Sequence, residues 1–385
     1  MTQDPWLLTP GPLTTTMQTK EAMLHDWGSR DASFIAMNAH MRESLVRIAE
    51  GEGTHVCVPL QGSGTFTVEA ALCTLIPTDG KALILINGAY GVRMTKILDY
   101  ANRAYVTIET PEDVPVDLEA LEETLNTDKD ITHVCVIHCE TTSGILNPIG
   151  DVAAIVDKQG RSLIIDSMSA FGAMPISAKT VKFDALMASS NKCLEGLPGL
   201  GFAIIRQSVL EKCQGNAHSL SLDLYEQWVN MEATKQWRFT PPIHIIASFD
   251  SAITQYEEAG GQPARFKRYD NNRRILTDGM RELGFQTLLS DNLQAPIIVT
   301  FKMPADPKFV FDDFYDNLKE QGYIIYPGKL TVAPSFRIGC IGALNETHMN
   351  GVLKVIKSIL SDMGVASGAP EALIPVILNK EFINE

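Results

Sequence analysis

From residue 56 to residue 205 the chain alternates short, almost wholly apolar runs with polar turns and stretches of helical spacing. The runs are 56–60, 82–86, 104–108, 133–137, 162–165, 183–187 and 202–205. Apolar runs this short, bounded by turn residues, predict strands buried on both faces of a sheet. Between them the spacing predicts helices over 67–75, 92–100 and 117–125. Ahead of them lies a helix over 33–49, whose Met37, Met41, Leu45 and Ile48 form a plain core stripe. Strand and helix in strict alternation imply an α/β fold, with a mainly parallel sheet and right-handed crossovers.

Beyond Ile205 the rhythm changes. A helix over 243–256 is ended by Gly260-Gly261, and a long basic helix follows over 265–283. Strands at 296–301 and 323–326 flank a helix at 311–321, the segment 335–339 comes next, and a last helix spans 348–363. This α+β pattern predicts a smaller C-terminal domain over 263–363, behind a large domain over 21–262. Residues 1–20 contain Pro10-Gly11-Pro12, too proline-rich for a helix or a central strand, and read as an extended arm. Residues 364–385 read as a tail.

Composition narrows the class of protein. At 45% hydrophobic and 20% charged residues, the 385-residue chain is of ordinary globular make-up. No apolar run approaches a membrane span, and residues 1–10 lack a basic-then-apolar leader, so a cytoplasmic enzyme is expected. The formal charge of -14 argues against nucleic acid as a partner and means that an anionic substrate must be held by a few local cations. Seven cysteines without paired zinc spacing read as reduced core thiols.

The candidate chemistry lies at the predicted strand ends, where open α/β sheets bind ligands. Asp166 closes the run 162–165, and Lys192 follows the run 183–187 after a short polar stretch. A carboxylate and an amine so placed suit pyridoxal phosphate, although a core-edge aspartate and a surface lysine would give the same pattern. Gly62-Ser63-Gly64-Thr65 opens a helix after the run 56–60, a good phosphate cup because helix N-termini present backbone N–H groups. It is not a nucleotide P-loop, since the lysine and the hydroxyl after it are missing. Tyr90, in a glycine-flanked loop, could lie on an aromatic cofactor or simply cap the turn. His138 and Glu140 lack a third ligand at a metal-binding spacing, so no metal is expected.

Taken in order, Pro10-Gly11-Pro12, Gly62-Ser63-Gly64-Thr65, Asn87-Gly88-Ala89-Tyr90-Gly91, Glu140-Thr141-Thr142-Ser143-Gly144, the Asp166 cluster, Asn191-Lys192-Cys193 and Phe336-Arg337-Ile338-Gly339 resemble the class V, fold-type I aminotransferases. The resemblance implies a mostly parallel seven-stranded sheet in a large domain, a small C-terminal domain and a homodimer with active sites at the interface. It implies pyridoxal 5′-phosphate as cofactor, with Lys192 as its covalent anchor and proton shuttle and Asp166 against its ring nitrogen. Ser63, Gly64 and Thr65 would cradle the phosphate, together with Thr240 from the partner subunit. Tyr90 would stack on the ring, Thr141 would sit near its 3′ oxygen, and Arg337 would bind the substrate carboxylate.

A narrower resemblance, to the members that use 2-aminoethylphosphonate and pyruvate, rests on the runs 8–15, 218–224, 236–242 and 326–330. Two readings compete with it. One is an alanine–glyoxylate or serine–pyruvate aminotransferase, which would share every cofactor residue. The other is a non-catalytic binding module on the same fold, whose signature would be loss of the lysine.

Overall fold

The computed structural model describes residues 4–330 and 334–371. The predicted tail therefore lies partly, over 372–385, outside the described residues. Seven strands form the central sheet, in the spatial order His55–Gly62, Gly199–Arg206, Ala185–Ser189, Ser162–Asp166, Ile131–Ile137, Lys81–Ile86 and Ala104–Glu109. Only Gly199–Arg206 runs antiparallel to its neighbours. The remaining pairs are parallel, as the strand–helix alternation requires.

Two apolar layers cover the sheet. On one face Met41, Leu45, Leu121, Val152, Phe249 and Ile253 pack against Leu83, Val134, Leu163 and Phe202. On the other, Val68, Leu72, Met94 and Leu98 pack against Ile84, Cys135, Ile164 and Met187. Both faces of the central strands are thus buried, which is why they read as unbroken apolar runs rather than as alternating ones.

The C-terminal part has its own three-stranded antiparallel sheet, Ile298–Lys302 beside Ser335–Gly339 beside Tyr326–Pro327. Its core is aromatic, with Phe336 stacked 5.6 Å from Phe301 and edge-on to Phe285 at 5.7 Å. The single strand expected at 323–326 is two short ones, because Tyr323–Ile324 turns away to pair in parallel with Trp6–Leu7 of the arm. The long helix Gly261–Glu282 joins the two parts.

Helix starts differ from expectation where polar strand-end turns double as first helical turns. The helix over the cup begins at Gly64 and the next at Ala89, so Tyr90 belongs to a first helical turn and not to a loop. The caps Ser63 and Gly88 hide this in the sequence, because the backbone at a cap is not yet helical.

Candidate active site

The parallel strands bring their C-terminal ends to one edge of the sheet. Asp166 is the last residue of its strand and Ser189 the last of the neighbouring one, with Lys192 three residues further on. Opposite them the helix Gly64–Leu75 opens, capped by Ser63, whose hydroxyl makes no bond to its own helix. A cavity of about 500 Å³ lies between these elements and is lined by Ser63, Gly64, Thr65, Tyr90, Thr141, Asp166 and Lys192.

Close packing fixes the cup. A Cβ on Gly64 would stand 2.4 Å from the Met168 sulfur, so the helix start packs directly on the Met168 side chain and a larger residue would have to displace it. That turn is held in place by the Met168 N–H, which donates to Asp166 Oδ1 at 2.9 Å.

Burial sets the electrostatics. Lys192 is enclosed, and desolvation lowers its pKa to about 8, with the Cys193 thiol and the Asp166 carboxyl opposing. Its Nζ donates to the Pro10 carbonyl of the arm at 2.7 Å. Desolvation raises Asp166 to about 6 against the pull of the Met168 N–H. A cation against this carboxylate would restore its ionised form, which is what a protonated ring nitrogen offers. Behind it, the Ser167 hydroxyl lies 3.0 Å from His138 Nδ1, and burial keeps this imidazole neutral with its pKa near 4.

Thr240 and Arg337 are not on this cavity's wall. Thr240 is exposed in an adjoining hollow that shares Gly62 with the cavity and includes Phe66, Trp237 and Phe239. Arg337 is buried behind the wall, where Nη1 donates to the Thr141 carbonyl at 2.8 Å and Nε to the Pro327 carbonyl at 3.1 Å.

Several neighbours escape a reading of the sequence. The Ser189 hydroxyl lines the cavity, buried and without a hydrogen-bond partner. Arg93 also lines it, donating to Thr65 Oγ1 at 3.0 Å with its guanidinium 4.7 Å from the Tyr90 ring centre. Spacing could have suggested Arg93, since it follows Tyr90 by three residues on one helix. Lys329 lies with its Nζ 5.7 Å from the same ring. Glu140, fully buried, accepts from the Tyr90 N–H at 3.1 Å and the Thr142 N–H at 3.0 Å, and so caps the helix whose own cap, Gly88, has no side chain. Its carboxyl serves that helix start rather than a metal.

The residues present fit pyridoxal phosphate. The Ser189 hydroxyl is an unspent buried donor beside the Ser63–Thr65 helix start, an arrangement made for a phosphate. Across the same cavity stand an amine and a carboxyl whose pKa values burial has moved toward each other.

The family model of class-V aminotransferases matches residues 40–343. The chain belongs to the class-V aminotransferases. The cofactor of this class is pyridoxal 5′-phosphate. Among the relatives of this class-V chain is a 2-aminoethylphosphonate–pyruvate transaminase of Burkholderia lata, 54% identical over 368 residues, which are 96% of this chain and 98% of that one. Another from Cupriavidus pinatubonensis is 53% identical over 363 residues, covering 94% and 96%. Of solved structures, the alanine–glyoxylate aminotransferase of Nostoc superposes with a TM-score of 0.86 at 20% identity, over 94% of this chain and 96% of that one. The pyridoxamine–pyruvate aminotransferase of Mesorhizobium loti gives 0.85 at 23%, over 95% of each. At such identities these two establish the fold alone, fold-type I, and agree with the observed sheet.

Proposed function

We propose that this class-V aminotransferase transfers the amine of 2-aminoethylphosphonate to pyruvate, giving phosphonoacetaldehyde and L-alanine. The observation that carries the reading is the half-buried Lys192 and the buried Asp166 lining one cavity, in a chain more than half identical to transaminases of that name along nearly its whole length. The competing alanine–glyoxylate reading rests on fold likeness at 20% identity. A non-catalytic module has no use for a lysine whose pKa is lowered to about 8 beside a buried carboxyl.

Pyridoxal phosphate, when bound, would supply a reactive aldehyde carbon and a ring able to accept an electron pair. The chain does the rest. Lys192 Nζ, neutral above about pH 8, takes the proton from the substrate carbon and returns it one carbon away. Asp166, aimed from its strand end, holds positive charge on the ring nitrogen. Ser63, Gly64 and Thr65, with Ser189 added, would hold the phosphate, and Tyr90 and Thr141, on the same cavity wall, would hold the ring. Arg337 would take the carboxylate of pyruvate or alanine from behind the cavity wall, which requires its guanidinium to exchange a carbonyl partner, Thr141 or Pro327, for the substrate. The phosphonate carries more negative charge than a carboxylate, and Lys329 and Arg93, both beside Tyr90, offer the added positive charge.

The working unit in this reading is a homodimer, in which Thr240 of each subunit completes its neighbour's phosphate site. Phe66 and Phe239, each about half exposed beside Thr240, support such a covered face. Among the described residues no helix is long and apolar enough to cross a membrane. Seven free, buried thiols fit a reducing compartment such as the cytoplasm.

The test follows the visible band of the lysine-linked cofactor while 2-aminoethylphosphonate, L-alanine, L-serine or taurine is added alone. Bleaching by 2-aminoethylphosphonate and recovery with pyruvate are expected. Bleaching by serine or alanine only would overturn the substrate, and absence of the band would overturn the role of Lys192.

A further inference from the structure

One buried ionic cluster takes no part in the chemistry above. Glu195, Arg265, Arg268 and Tyr269 converge just beyond Lys192, and none of them lines the cavity. Arg265 Nη1 lies 3.3 Å from Glu195 Oε1 and also donates to the carbonyl of Cys193, the residue after the lysine. Arg268 pairs with the same carboxylate, and the Tyr269 hydroxyl donates to it at 2.5 Å. Glu195 holds a left-handed backbone, φ 59°, which a non-glycine residue adopts only at a cost.

A buried ion pair is weak evidence of net stabilisation, and its other use is to fix one arrangement of the chain. What the cluster fixes is a turn. Glu195 N–H donates to the Lys192 carbonyl and Gly196 N–H to the Ser190 carbonyl, both at 2.8 Å, so clamping Glu195 clamps the turn that carries the lysine.

The Tyr269 hydroxyl makes a second bond, accepting from the Gly342 N–H at 3.2 Å. Gly342 lies three residues beyond the strand Ser335–Gly339 that carries Arg337, and the next residue, Ala343, donates to Thr14 of the arm at 2.8 Å. A single phenol oxygen therefore joins the Lys192 turn to the segment that follows Arg337.

We propose that Glu195, Arg265 and Tyr269 are positioning residues for the transamination, fixing Lys192 in register with Arg337 through the Tyr269 hydroxyl. The proposal rests on the role given to Lys192 above. A misplacement of about 1 Å at a proton-transferring group costs on the order of a hundredfold in rate, so loss of one strut is large enough to measure.

The experiment uses the cofactor-loaded enzyme and the variant Tyr269→Phe, which keeps the ring and removes only the hydroxyl's hydrogen bonds with Glu195, Gly342 and, at 3.5 Å, Arg265. Glu195→Gln is the second variant, should the first not fold. Single-turnover rates with 2-aminoethylphosphonate and with L-alanine are measured with protium or deuterium at the carbon that loses its proton. The expected result is about a tenfold or greater fall in rate with both amines, a larger deuterium effect and KM changed less than kcat. A variant with wild-type rate and isotope effect, whose melting temperature alone falls, would overturn the proposal. If the wild-type enzyme itself showed no lysine-linked band, the underlying reading of Lys192 would have failed instead.

Discussion

Gly11 of the arm faces Lys192 so closely that a Cβ added to it would stand 2.7 Å from Lys192 Cδ and 2.9 Å from Nζ. The backbone at Gly11 has φ 113°, a conformation L side chains rarely adopt. Gly11→Ala therefore pushes either the arm or the lysine out of place. The expected outcome is a loss of roughly a hundredfold in kcat with a fold that stays intact, checked by steady-state rates beside a thermal melt. Wild-type kcat would show that the arm does not set the lysine's position.

Asp166 is held at a cost in the cofactor-free protein. Its pKa rises from 3.8 to about 6, so between those values the folded state binds more protons than the unfolded one. Stability falls as pH rises through that window and stays lowered above it, by on the order of 2–3 kcal/mol. Asp166→Asn keeps the shape and removes the charge. The cofactor-free variant is expected to melt no lower than wild type at neutral pH, while amine transfer falls by orders of magnitude. A lower melt would mean that the carboxylate is better compensated than its burial implies.

Lys192 gives a pH dependence of the opposite kind. Burial moves its pKa from 10.5 to about 8, so through that interval the unfolded chain binds the extra proton and stability rises with pH. The free amine is what captures an aldehyde. Uptake of pyridoxal phosphate by the cofactor-free protein is expected to quicken about tenfold per pH unit below 8 and to level off above it. A rate that kept climbing toward 10.5 in stopped-flow absorbance would assign uptake to an ordinary exposed lysine.

Charge around Tyr90 should separate the two substrates. Lys329→Gln removes one of the two cations beside that ring and leaves Arg337 with its carbonyl partners. Its kcat/KM ratio of 2-aminoethylphosphonate to L-alanine is expected to fall by about tenfold, the worth of one charge-assisted contact. Arg337→Lys, which loses the planar fork, is expected to weaken alanine and pyruvate by a similar factor. An unchanged ratio in Lys329→Gln would leave the phosphonate to Arg337 and Arg93.

The sequence by itself determined the sheet, because strands buried on both faces must be apolar throughout and crossovers between parallel strands must be long. It placed Asp166 and Lys192 near strand ends and Ser63–Thr65 at a helix start, since these are local features with local signals, but their role as a cofactor site came from the resemblance of seven ordered motifs and not from spacing. Tertiary structure alone decided the contacts that join distant segments. The Pro10 carbonyl meets a lysine 182 residues away, and Arg337 meets the Thr141 carbonyl across 196 residues. Glu195 meets Tyr269 across 74. Local periodicity says which face of an element is buried and nothing about which remote atom lies against it. That choice is made by packing, where a glycine at 11 admits a backbone neighbour, the Asn191 carbonyl, that a Cβ would crowd at 2.8 Å.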